Sequence, residues 1–229
     1  MKKYCLFLSI VSFLLLFASC KKELSCENCQ QTIQPLPTPE GDSALYYQFT
    51  LDNKNYQAIA YQNNFIVVST LDWSGTADRD SGVVMGSALV PPNTTTFLLA
   101  PFTFILERGI IKYYSSLTQN PFQSFFTTGD YSYANLMEVV PPYSPVSQNG
   151  VALLWVDEAG VIWRTDKGSS NQSGSKFTIY NRQSMTYPWT TTPYPMRISA
   201  DFNCKIYDDN GRSKQISNGK LAYYFAKDF

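Results

Sequence analysis

The sequence predicts an all-β fold: a single, mostly antiparallel β-sandwich, with a barrel-like arrangement of the strands as the alternative. The first observation is the segment 198–208, "ISADFNCKIYD", where apolar and polar residues alternate with the period of a half-buried strand. The second is Asn210-Gly211, a dipeptide typical of tight hairpin turns, which lies between two strand-like runs. The third is the lack of a sustained helical period in a chain punctuated by Gly, Pro and Asn.

The strands are predicted in order along the chain. The segment 44–61, "ALYYQFTLDNKNYQAIAY", predicts a hairpin with a turn around 52–55. A second hairpin is predicted at 151–165, "VALLWVDEAGVIWRT", with its turn at 157–160. Residues expected to face the core are Leu45, Tyr47, Phe49 and Leu51 in the first strand, and Leu221, Tyr223 and Phe225 in the last. Further strands are predicted at 64–71, 83–90, 96–106, 110–116, 122–127 and 175–182, and 130–142 is expected to form a helical turn or a strand.

The first residues have the layout of a secretory signal peptide, predicted at 1–19. Lys2 and Lys3 precede an apolar run of about 14 residues, shorter than the roughly 20 that a membrane-spanning helix needs. Phe17-Ala18-Ser19-Cys20 resembles the lipobox of bacterial lipoproteins, with Phe17 in place of the commoner Leu. The resemblance implies a diacylglycerol on Cys20, which anchors the mature chain to a membrane. A plain secreted protein and an uncleaved membrane anchor are the alternatives.

Residues 20–43 are expected to comprise the lipidated cysteine and a Pro-rich tether. Pro35, Pro37 and Pro39 favour an extended, semi-rigid backbone. The β-sandwich domain is therefore expected at 44–229, a length sufficient for one core. At the junction, "DSA" at 42–44 resembles a short O-glycosylation sequon of one phylum of glycan-degrading, outer-membrane bacteria, which makes Ser43 a candidate glycosylation site.

The remaining cysteines and the charges exclude several functions. Cys26 and Cys29 form a C-x-x-C pair, but the chain has no histidine and no second pair, so a local disulfide or two unpaired thiols are expected, and no metal or cofactor. Cys204 lies on the apolar face of its strand and is expected to be a buried core thiol. "DRDSG", 78–82, is a fragment of a calcium loop without the later glutamate, and a polar loop is the expectation. No basic cluster predicts nucleic-acid binding.

The ends of the domain resemble a known group of proteins. "YYQFTLDNKNYQA" at 46–58, "DEAGVIWRT" at 157–165 and "ADFNCKIYDDNGRSKQISNGKLAYYF" at 200–225 are similar to uncharacterised lipid-anchored β-sandwich lipoproteins of the same glycan-degrading, outer-membrane bacteria. The resemblance also includes "QSGSKFTI" at 172–179, extends over about half of the mature chain at its two ends, and consists of turn and core patterns. The resemblance therefore implies a fold and an outer-membrane location, and it carries over no catalytic residues.

Aromatic residues in loops are the candidate ligand-binding residues. "TYPWTTTPYP", 186–195, places Tyr187, Trp189 and Tyr194 among prolines and threonines, and "PPYSP", 141–145, contains Tyr143. Loops on rigid scaffolds often carry binding sites, and flat rings stack on sugars. The alternative is that these rings cover one end of the sandwich.

These observations predict an outer-membrane lipoprotein with a non-catalytic binding or adhesion domain, a glycan being one ligand class and the membrane face being left open. The alternative is a structural or partner-binding subunit of an envelope assembly. A glycoside hydrolase with Glu107 and Glu138 is the third possibility, but nothing in their spacing pairs the two carboxylates. The protein is therefore expected not to be an enzyme.

Overall fold

The computed structural model describes residues 34–39, 44–62, 65–74, 80–90, 101–112, 126–134, 150–185 and 195–225. All of them belong to one compact unit, Ile33–Phe229. These ranges contain strands and turns and no helix. The strands are β1 (Tyr46–Leu51), β2 (Lys54–Ile59), β3 (Ile66–Ser74), β4 (Asp80–Val90), β5 (Phe102–Lys112), β6 (Gly129–Tyr131), β7 (Gly150–Val156), β8 (Ile162–Arg164), β9 (Lys176–Ser184), β10 (Met196–Tyr207) and β11 (Ser213–Phe225).

The strands pair antiparallel in two runs. One run has the order β2–β1–β11–β10–β9–β6, and the other has the order β8–β7–β5–β4–β3. Tyr207 of β10 pairs with Arg164 of β8 and joins the two runs. The strands of the described ranges do not close into a barrel. The fold is therefore all-β, mostly antiparallel and sandwich-like, which confirms the class that the sequence predicted.

An aromatic cluster forms the core between the two runs. Phe102 of β5 is fully buried, and its ring centroid lies 5.1 Å from that of Tyr47, 5.3 Å from Phe49 and 5.6 Å from Phe202. These partners lie on β1 and β10, which do not pair with β5, so the contacts cross from one layer to the other. Aromatic pairs of this kind contribute about 0.5–1.5 kcal/mol each beyond the area they bury.

The three predicted hairpin turns are present. Asp52 and Asn53 both have positive φ, at 49° and 58°, as a two-residue hairpin turn requires. The turns at 157–160 and 208–211 close the β7–β8 and β10–β11 hairpins. Every predicted inward residue of β10 is buried, including Cys204, which is a free thiol with no exposed surface. The prediction of a buried core thiol is confirmed.

Three of the predicted strands differ from those observed. The separate strands predicted at 96–106 and 110–116 are wrong, because a single strand, β5, runs through both from Phe102 to Lys112. β5 itself carries an irregularity: its register with β4 shifts at a β-bulge, because Ser81 pairs with Ile111 whereas Val83 pairs with Arg108, which leaves one extra residue in β5. In the strand predicted at 122–127, the described residues 126 and 127 are not part of a strand. The segment 130–142 contributes a strand, β6, at its start.

The outer face of β1 is covered, which the alternation of apolar and polar residues did not predict. Every residue of β1 is buried, including Gln48, which is 2% exposed on the face expected to meet solvent. Residues 34–39, which the sequence assigned to the tether, lie against this face: the side-chain amide of Gln48 donates to the carbonyl of Leu36 at 3.1 Å. This part of the Pro-rich segment contacts the sheet.

Candidate functional site

An open cleft of about 600 Å³ lies where β6 pairs with the beginning of β9. We call it the β6–β9 cleft. It is lined by one strand, by the residues just after it and by the turn that leads into β9: Asp130, Tyr131, Ser132, Tyr133, Gln172, Gly174, Ser175, Lys176 and Phe177. The volume falls within the range of about 300–1,000 Å³ that is usual for small-ligand sites.

One wall of the cleft is the turn 172–175, which Gln172 holds in place. Its amide nitrogen donates to the carbonyls of Thr165 at 2.8 Å and Lys205 at 2.6 Å. Its amide oxygen accepts from the Lys205 backbone N–H at 3.0 Å and from the Ser175 hydroxyl at 2.8 Å. Because all these groups are used within the protein, Gln172 positions the wall and offers little to a ligand.

Two tyrosines form the opposite wall, and both hydroxyls are fixed. The hydroxyl of Tyr133 donates to the carbonyl of Asn203 at 3.0 Å, and burial raises the pKa of this hydroxyl well above its usual range. The hydroxyl of Tyr131 donates to the carbonyl of Thr127 at 3.0 Å. Burial raises the pKa of the Cys204 thiol, which lies behind Tyr133, to about 12. This thiol is therefore protonated and unreactive at neutral pH.

The charged groups at the cleft are Asp130 and Lys176, which face each other. The Thr178 hydroxyl donates to Oδ1 of Asp130 at 2.6 Å, and the ammonium of Lys176 lies 3.6 Å from the same oxygen. These two neighbours hold the pKa of the Asp130 carboxyl below its usual range. Both charged side chains remain more than half exposed, so they are accessible to a ligand.

The cleft offers donors, acceptors and ring surfaces in a site with no net charge. Asp130 is the one carboxylate among the described lining residues, whereas hydrolysis of a glycosidic bond uses a pair. No group of three or more His, Cys, Asp or Glu side chains in the described ranges could hold a metal ion. The lining groups can form hydrogen bonds with a polar, uncharged ligand.

Most residues that the sequence singled out lie outside the described residues. These are Cys20, Cys26, Cys29, Ser43, Glu138, Tyr143, Tyr187, Trp189 and Tyr194, so their predicted roles stay predictions. Glu107 lies in β5, where its backbone pairs with Val84 on one side and Gly150 on the other. The pair of glutamates considered for hydrolysis is therefore not assembled from described residues.

The aromatic segment 186–194 connects β9 to β10, and its two flanks are described. The backbone N–H of Met185 donates to the carbonyl of Pro195 at 2.9 Å, which closes the connection. Lys176 and Met185 are nine residues apart along an extended strand, so they are separated by roughly 30 Å. The flanks of the predicted aromatic site and the β6–β9 cleft are therefore far apart on β9.

No sequence pattern indicated a binding role for Asp130, Tyr131 or Lys176. The hydrogen bond between Asp130 and Thr178 joins residues 48 positions apart, and it depends on the pairing of a three-residue strand with β9. Gly129 was the available local signal, because its φ of +133° is a conformation that other residues rarely adopt. A glycine alone, however, does not indicate which strand will pair beside it.

The chain was compared with known proteins. A scan against protein-family models found no match, and neither did searches of curated proteins and of solved structures. In the part of the chain that the structure describes, no helix has the length and hydrophobicity needed to cross a membrane.

Proposed function

We propose that this protein is an outer-membrane lipoprotein, anchored through Cys20, whose β-sandwich is a non-catalytic module that binds a neutral glycan. The lipobox-like sequence before Cys20 supports the anchor. The β6–β9 cleft supports the binding role. The observation that carries the proposal is the pairing of Asp130 with Lys176 at the cleft, beside the tyrosine wall.

The chemistry of the cleft favours a carbohydrate over a charged ligand. Because the Asp130–Lys176 pair has no net charge, it gives an anionic or a cationic ligand no net attraction, whereas sugar hydroxyls can donate to the carboxylate and accept from the ammonium together. Hydrogen bonds that involve a charged group are stronger than those between neutral groups. The ring of Tyr131, which is half-buried, adds apolar contact for a sugar ring.

A glycan array probed with the full chain, purified in detergent, tests the proposal. We expect retention of neutral oligosaccharides and weak response to sulfated or sialylated ones. Asp130→Asn should weaken the binding of a retained glycan about tenfold or more, because one charge-assisted hydrogen bond is lost. Titration calorimetry with the best oligosaccharide measures this change.

Glu158→Gln is the matched control for Asp130→Asn. Glu158 is also an exposed carboxylate, paired with Lys54, but it lies on the β7–β8 turn outside the cleft. This variant should bind the glycan as the unmodified chain does. If no glycan is retained, the proposed function is wrong. If both variants weaken binding equally, the β6–β9 cleft is not the binding site.

The loop aromatics provide the competing location for the same function. Trp189→Ala should leave glycan binding unchanged if the β6–β9 cleft is the site. If Trp189→Ala loses glycan binding at an unchanged melting temperature, and Asp130→Asn binds normally, the binding site lies in the segment 186–194.

A further inference from the structure

The Pro-rich segment 34–39 crosses the outer face of the sheet in a regular way. The carbonyl of Gln34 accepts from Asn55 of β2 at 2.9 Å, and the carbonyl of Leu36 accepts from Gln48 of β1 at 3.1 Å. The hydroxyl of Thr38 accepts from Lys220 of β11 at 3.2 Å. Alternate residues of the segment thus meet three adjacent strands in the order in which the sheet is built.

The fourth strand holds the chain just before β1. Arg197 of β10 donates from Nε and Nη2 to the carbonyl of Ala44, at 3.1 and 2.9 Å, and this guanidinium is 7% exposed. Strands in a sheet lie about 4.8 Å apart, and two residues of polyproline backbone span about 6.2 Å. A segment that crosses the strands obliquely therefore presents every second residue to a new strand.

The donors on the sheet are oriented before the segment binds. Asn55 accepts at its side-chain oxygen from the Thr50 hydroxyl at 2.8 Å, which directs its amide nitrogen toward the segment. Gln48 accepts at its side-chain oxygen from the amide of Gln57 at 3.1 Å, with the same effect. Donors fixed by neighbouring side chains lose little freedom when they bind, which favours recognition.

The prolines provide the matching acceptors. Pro35, Pro37 and Pro39 each follow a residue that contacts the sheet, and a residue before proline is held in extended backbone. Polyproline backbone makes no internal hydrogen bonds, so its carbonyls are free to accept. Proline also has no N–H, so the segment brings few donors to a face that already supplies donors.

We propose that Asn55, Gln48 and Lys220 form a recognition surface for an extended Pro-x-Pro-x-Pro peptide, and that the chain's own residues 34–39 occupy it. The segment is then a strap fixed to the domain and not part of a free tether. This inference does not depend on glycan binding. Combined with the proposed anchor at Cys20, it leaves residues 21–33 as the spacer, with a reach of at most about 45 Å.

Cleavage of the full chain after Glu40 by a glutamate-specific protease tests the strap. A protease needs several extended residues on each side of the bond, so cleavage measures release of the strap. The double variant Gln48→Ala/Asn55→Ala removes two hydrogen bonds and should be cut about tenfold faster or more. Asn181→Ala/Gln183→Ala, which changes the same residue types at exposed positions of β9, should be cut at the unmodified rate.

A second variant distinguishes release of the strap from unfolding of the sheet. Replacing Pro35, Pro37 and Pro39 with Ala leaves every residue of the sheet unchanged. Because alanine restricts the backbone less than proline does, the segment gains more conformational entropy when it is released. This variant should also be cut about tenfold faster, with an unchanged melting transition of the domain. Cleavage of both variants at the unmodified rate would overturn the strap, whatever the glycan array shows.

Discussion

Asp157 and Asp208 close two hairpins with the same pattern of hydrogen bonds. Oδ1 of Asp157 accepts from the backbone N–H groups two and four residues later, at 3.0 and 2.8 Å, and Oδ1 of Asp208 does the same at the same distances. A glycine with φ near +77° follows three residues after each aspartate. The sequence pattern D-x-x-G therefore encodes the turn locally, which is why both hairpins could be predicted.

These aspartates should make stability depend on acid. Burial alone would raise both pKa values, but hydrogen bonds from Trp163 and the backbone to Asp157, and from Arg212 to Asp208, bring both below the usual range. The two carboxylates therefore stabilise the folded state above about pH 3.9, the pKa of aspartate in the unfolded chain. This stabilisation is lost as the pH falls through their lower pKa values in the folded state. Melting temperatures measured from about pH 6 to pH 2 should show this loss.

Asp157→Asn/Asp208→Asn should flatten that pH profile. Asn keeps an oxygen that can accept both backbone N–H groups, so the turns should persist while the titrating charges are removed. Asp209→Asn, at a neighbouring position that is 80% exposed, is the control and should keep the profile of the unmodified chain. An unchanged profile in the double variant would assign the acid sensitivity to other carboxylates.

Cys204 should be inert in the folded protein. Its thiol has no exposed surface, and burial raises its pKa to about 12, so both access and ionisation are lacking at pH 8. We expect iodoacetamide to leave Cys204 unmodified in the native chain and to modify it fully in 6 M guanidinium, as peptide mass spectrometry would show. Rapid modification under native conditions would mean that β10 opens readily.

At the scale of elements, the pairing of β10 with β11 depends on a glycine. Gly219 lies opposite Phe202, and a Cβ at Gly219 would come within 2.5 Å of the Phe202 ring. That ring also stacks on Phe102 and Phe177, at centroid distances of 5.6 and 6.1 Å, so it has little room to move. The absence of a side chain on one strand therefore makes space for the core on the next.

Gly219→Ala should destabilise the protein by about 1–3 kcal/mol, the usual cost of overpacking a core. Urea denaturation measures the change. Combining it with Phe202→Leu should cost less than the sum of the two single variants, because the smaller side chain relieves the clash. Ser213→Ala, at the exposed start of β11, should change stability by less than about 0.5 kcal/mol. Additive effects of Gly219→Ala and Phe202→Leu would contradict this packing.

At the scale of the whole molecule, the sequence predicted the strands and hairpins that depend on residues close together in the chain. Alternation of polar and apolar residues indicated β10, and turn residues indicated the hairpins. The β6–β9 cleft and the contacts of residues 34–39 depend on residues that are distant in the chain. The hydrogen bond between Lys220 and Thr38, for example, spans 182 positions. Prolines predicted the extended backbone of that segment, but no local pattern shows that a sheet will carry donors to match it.

The hydrogen bond between Tyr223 and Phe102 joins the two layers and gives the last prediction. The hydroxyl of Tyr223 on β11 donates to the carbonyl of Phe102 on β5 at 3.0 Å, and both residues are fully buried. Tyr223→Phe keeps the ring but leaves the carbonyl without this donor, so we expect a loss of about 1–2 kcal/mol. Tyr61→Phe removes a hydroxyl from a residue that is 68% exposed and should be nearly neutral. Equal stabilities of the two variants in urea denaturation would show that this hydrogen bond adds nothing to the stability of the packed layers.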